Sequence, residues 1–114
     1  MATQPHGFDF TTSQIMALWE SAEHWLENCA ASGLSGIQVS GRACACCQIW
    51  NPPPFKNGCV GCPIMQFTGQ SHCYNTPYRF ALSCLRYGTL NEFIDESERE
   101  YKFLVCLALG DKPV

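Results

Sequence analysis

Hydrophobic and polar positions alternate with a helical period in two parts of this chain and lose that period between them. From Thr11 onward, apolar residues recur at Ile15, Leu18, Trp19, Ala22, Trp25, Leu26 and Cys29. Steps of three and four residues put them on one face of a helix. Thr11 and Gln14 have the spacing of a capping box, with Phe10 and Ile15 in the places of a hydrophobic staple, and Ser32-Gly33 supplies a stop. The pattern predicts an amphipathic helix over 11–31.

The period returns at Pro77, which follows the cap residue Thr76 and occupies the favoured first helical position. Phe80, Ala81, Cys84, Leu85 and Tyr87 continue it to Gly88, giving a helix over 77–87. Thr89 and Glu92 then form a second capping box. Leu90, Phe93, Ile94, Tyr101, Leu104, Val105 and Ala108 form the inward face of a last helix over 90–109, which Gly110 ends. Early carboxylates at Glu92, Asp95 and Glu96 suit the positive end of its dipole.

Between these helices, Ile37-Gln38-Val39 alternates like a brief strand, and residues 42–76 show turn-formers such as Pro52-Pro53-Pro54 and Asn57-Gly58 instead of a period. The predicted class is therefore α+β and mostly helical. An N-terminal helix, a stapled loop or short-hairpin middle and two C-terminal helices make one domain over 1–114. The middle segment buries too little apolar surface to order itself, so a cross-link or an ion must hold it.

Composition decides what that staple is. Nine cysteines in 114 residues is unusually many, and only 15% of residues are charged. The first ten residues lack the basic start and apolar run of a signal peptide, and no stretch nears the roughly 18 apolar residues of a membrane span. The expected compartment is the cytoplasm, where thiols stay reduced. An odd number of cysteines also fits a closed disulfide framework poorly.

Metal ligation is the better expectation. Cys44-Ala45-Cys46-Cys47 and Cys59-Val60-Gly61-Cys62 each hold a C-x-x-C pair, and two thiolates so spaced grip one ion from a tight turn. Gly61 suits such a turn because positive φ is open to it. Cys73, preceded by His72, raises the number of possible ligands above the four of a tetrahedral site. The candidate metal ligands are thus Cys44, Cys47, Cys59, Cys62 and Cys73, with zinc as the expected ion and an iron–sulfur cluster as the alternative. Cys46 falls between ligands and is expected to point elsewhere. Cys29, Cys84 and Cys106 lie on helix faces, where a cysteine acts as a small hydrophobe.

The motifs Cys44-x-x-Cys47, Cys59-x-Gly61-Cys62-Pro63-Ile64, Thr68-Gly69 and Cys73-x-x-Thr76-Pro77-Tyr78, preceded by a helix carrying His24-Trp25, resemble a group of small cysteine-rich proteins of phages and prophages. The chain departs from that group at Cys46, at the Pro52–Pro54 insert and at Tyr74-Asn75. The resemblance implies a phage-linked accessory protein acting in the host cytoplasm. It implies no reaction.

Catalytic signatures are missing as well: the chain has no H-E-x-x-H, no phosphate-cradling glycine loop and no G-x-S-x-G. His24 and Glu27 lack the H-x-E spacing of zinc deaminases, and Pro63 follows its cysteine pair instead of preceding it. The expectation is a non-enzymatic, zinc-stabilised module that binds a protein such as a host enzyme or defence complex. Trp50, Phe55 and Tyr74 are its candidate anchors. A nucleic-acid-binding zinc ribbon using Arg42, Lys56, Arg79 and Arg86 is the second expectation. The formal net charge of −3, about −5 with zinc on four thiolates, gives no general attraction for phosphate. A thiol redox sensor is the third.

Overall fold

A computed structural model describes residues 7–34, 37, 45–51, 58–70, 73 and 76–111. Among them five helices occur: α1 (Thr12–Cys29), α2 (Ala45–Trp50), α3 (Pro63–Thr68), α4 (Pro77–Tyr87) and α5 (Leu90–Ala108). Helix accounts for 70% of the described residues and no sheet forms among them. The expected α+β class is therefore corrected to all-helical. Where a loop or hairpin was expected in the metal-binding segment, the backbone closes two six-residue helices, α2 and α3. The expected strand at 37–39 falls outside the described residues except for Ile37, which is neither helix nor strand.

Local chemistry explains where the long helices begin. The Thr11 side chain accepts from the Gln14 amide at 3.2 Å while the Thr11 amide donates to Gln14 Oε1 at 2.8 Å. Thr89 and Glu92 repeat that reciprocal box at α5. Each box satisfies two backbone donors that a bare helix start would leave unpaired. At its end α5 makes both hydrogen bonds of a Schellman turn, Gly110 N to Leu107 O and Asp111 N to Cys106 O. Gly110 takes the left-handed φ of +84° that this turn requires. Between α4 and α5, Gly88 passes so close to Cys84 that a Cβ there would lie 2.9 Å from the Cys84 Cα. Glycine is required at that crossing.

α1, α4 and α5 form the frame. Trp25, near the end of α1, meets Phe93, near the start of α5, with ring centroids 6.5 Å apart. At the other end Phe8 reaches Phe103 through Phe67, so α1 and α5 run antiparallel. Leu18, Phe93 and Leu107 are fully buried between them, with Leu104 1% exposed, and Tyr78 on α4 packs edge-on against Trp25 at 5.9 Å. Burying side chains of this size contributes roughly 1.5–3 kcal/mol each. The surface ion pairs Arg99–Glu96 and Lys102–Glu98 add little by comparison, because water screens them.

The buried face of α1 is rotated from the expected stripe. Gln14, Ala17, Leu18, Ser21, Ala22, Trp25 and Asn28 face inward, whereas Trp19 and Leu26 are 40% and 50% exposed. Three of those inward residues are polar, and two of them hold the cysteine segment. No described helix is long and apolar enough to cross a membrane.

Candidate metal centre

The cysteine segment is tied to the frame by a few specific contacts. Gln14 donates from Nε2 to the Gly61 carbonyl at 2.9 Å and to Gln66 Oε1 at 3.1 Å, clamping the Cys59–Cys62 turn and α3 to the start of α1. Ser21 accepts from the Cys46 amide at 3.4 Å and donates to Cys46 Sγ at 3.5 Å, fixing the first turn of α2. Phe67 on α3 packs edge-on against Phe103 of α5 at 6.0 Å. Thr76, the cap of α4, donates to the Cys73 carbonyl at 2.7 Å.

These ties gather cysteines from three stretches of backbone around one small cavity. Cys46 and Cys47 come from α2, Cys59 and Cys62 from the turn before α3, and Cys73 from the stretch before α4. Trp50, Asn51, Ile64, Met65 and Gln70 complete its wall. The free space is about 10 Å³, near the least that holds a single water. Cys46, Cys59 and Cys62 are at most 5% exposed, so whatever sits among these sulfurs is largely shielded from solvent.

The backbone is strained at two of these positions. Cys59 has φ +64° and Cys73 φ +58°, and they alone among the described non-glycine residues have positive φ. Left-handed backbone costs a residue with a Cβ roughly 1–2 kcal/mol, so the surroundings must impose it. Gly61 also adopts a left-handed φ, +92°. Its missing Cβ makes room for the Trp50 ring, whose Cδ1 would otherwise stand 2.7 Å from it. The turn closes through Cys62 N to Cys59 O at 2.9 Å, and α3 follows because Pro63 pre-sets the first helical φ. A left-handed Gly69 ends that helix.

Four of the expected ligands, Cys47, Cys59, Cys62 and Cys73, thus line one cavity. The fifth, Cys44, lies outside the described residues, as does His72. Cys46 shares the wall, although the spacing had set it aside. A helix turns about 100° per residue, so the neighbours Cys46 and Cys47 both reach the cavity from its flank. No disulfide closes any of the eight described cysteines. The donor set suits a thiophilic ion such as zinc. Among the described residues no three Cys, His, Asp or Glu side chains stand in coordinating geometry.

Of the expected partner anchors, Trp50 is half-buried against Gly61 and forms part of the cavity wall, while Phe55 and Tyr74 lie outside the described residues. The exposed apolar side chains beside the site are Ile49 and Val60, at 54% and 72%. The remaining described cysteines lie elsewhere. Burial pushes the Cys29 thiol up, with Glu98 adding to it, and burial pushes the Cys84 thiol up with help from Glu92 and Glu96.

No family model, curated protein or solved structure matches this chain.

Proposed function

We propose that this chain is a non-enzymatic module in which one zinc ion staples the cysteine segment onto a helical frame, presenting a surface that binds another protein. The observation that carries the reading is the convergence of five cysteines from three backbone stretches on one cavity of about 10 Å³, two of them in strained left-handed backbone. Apolar packing alone gives no reason to hold two cysteines in that conformation; a structural ion that needs its thiolates aimed inward does. The shielding of Cys46, Cys59 and Cys62 favours a closed structural site over a peroxide-sensing thiol, which needs access. An iron–sulfur cluster is the other occupant that cysteine ligands suit.

Phe55 and Tyr74 are the proposed anchors on the stapled segment, Trp50 being taken up by the cavity wall, and the resemblance to phage-borne cysteine-rich proteins suggests a host enzyme or defence complex as the partner. Elemental analysis of protein purified under reducing conditions with zinc present tests the metal. One zinc per chain, without iron or the visible absorption of a cluster, is expected; protein that folds and retains no metal contradicts the reading. A specific host protein captured by the metal-loaded form, and not by a Cys59→Ser/Cys62→Ser variant, supports the binding role.

A further inference from the structure

The outer face of α1 carries apolar side chains that, among the described residues, belong to neither the core nor the wall of the cysteine cavity. Met16 is 58% exposed, Trp19 40% and Leu26 50%. Together with Glu23 they succeed one another at steps of three and four residues, so they form one stripe along the helix. Of the three tryptophans, Trp25 serves the core and Trp50 the cavity; Trp19 is left to this stripe. Exposed Glu20 and Glu27 border it, and exposed Glu23 lies within it. The first 41 residues contain four carboxylates (these three and Asp9) and no Lys or Arg.

We propose that this face docks a basic helix with an apolar stripe on a partner protein, Trp19 entering between the partner's apolar side chains and the glutamates pairing with its Lys or Arg. Charge complementarity selects that occupant. A second copy would set the same three glutamates against each other. A membrane surface is disfavoured because the stripe's acidic border is repelled by anionic lipid. Aromatic anchors with charged surroundings are the usual source of binding energy and on-rate in such contacts. This inference rests on reading the chain as a protein-binding module, but it uses a surface apart from the metal cavity.

The test titrates metal-loaded protein into a fluorescein-labelled amphipathic helical peptide of leucine and lysine, with a leucine–glutamate peptide as control, and reads anisotropy. Saturable one-to-one binding to the lysine peptide alone is expected. Trp19→Ala should weaken it at least about tenfold. The triple change Glu20→Gln, Glu23→Gln and Glu27→Gln should weaken it and flatten its salt dependence. Tyr87→Ala, at the 87% exposed aromatic of α4, should leave it unchanged. Circular dichroism confirms that each variant is folded. Unchanged binding by Trp19→Ala, no saturable binding, sedimentation showing Trp19-dependent self-association, or preferential binding to phosphatidylglycerol vesicles would each overturn the proposal. Retained zinc with failed peptide binding overturns this docking face and leaves the metal reading standing; peptide binding by a protein that holds no zinc does the reverse.

Discussion

The helical frame and the cysteine segment of this chain are ordered by different physics. α1, α4 and α5 are capped by their own side chains and close over Leu18, Phe93, Leu104 and Leu107. α2 and α3 are six residues each, too short to be stable alone; they touch the frame through Gln14, Ser21 and Phe67 and enter its core through Cys46 and Ile64. The frame is held by apolar area spread over many residues, so no single polar contact decides it. The segment adds Cys46, Cys59, Cys62 and Ile64 to that core and leans besides on a handful of directed contacts around a cavity lined by cysteines, so each of those contacts matters. In one region stability is distributed; in the other more of it rests on a few contacts.

The sharpest way to break that contrast is Cys59→Ser with Cys62→Ser. Structural zinc contributes on the order of 10 kcal/mol of apparent folding energy where it is bound. The double variant is expected to lose bound zinc and the order of α2 and α3 while far-ultraviolet circular dichroism still reports α1 and α5. Collapse of the whole helical signal would merge the two regions into one cooperative unit. In the frame, Phe93→Ala should cost about 3–5 kcal/mol of global stability by emptying a fully buried site, lowering the melting temperature with zinc stoichiometry unchanged.

Smaller changes sharpen the same line. Gly61→Ala combines a left-handed φ with a Cβ 2.7 Å from Trp50. It should cost about 1–3 kcal/mol, read as weaker zinc affinity in a competition assay. Thr89→Ala removes one reciprocal cap of α5 and should lower global stability by about 1 kcal/mol without touching zinc affinity. The smallest effect concerns pH. The Cys29 and Cys84 thiols sit above their ordinary 9.0 because burial and nearby glutamates disfavour the thiolate. Their contribution is fully present below pH 9 and is lost as pH rises through the raised values. Denaturant melts of wild type should therefore weaken above pH 9, and Cys84→Ala should weaken less.

What the sequence disclosed follows the same division. Both capping boxes are local, four-residue signals, so Thr11 with Gln14 and Thr89 with Glu92 could be read directly and are present in the structure. The orientation of α1 could not. Periodicity favoured Trp19 and Leu26 for the interior, but the polar Gln14 and Ser21 turn inward because partners wait at Gly61 and Cys46, 47 and 25 residues away. The short helices escaped because six residues do not complete two turns. α3 nonetheless carried its signals, Pro63 at its start and Gly69 at its end, while α2 carried only a stop, Asn51-Pro52 after its last residue. Cysteine spacing pointed to the cavity and missed Cys46, since spacing shows which residues are near in sequence and not how a helix start fans out its first side chains.

Amide hydrogen exchange, compared between zinc-loaded and chelated protein, tests most directly whether an ion holds the cysteine segment on an independent frame. On removal of the ion, amides of 46–51 and 59–69 are predicted to exchange at least about a hundredfold faster, with those of α1 and α5 unchanged. Equal protection of both regions before and after chelation would contradict the account.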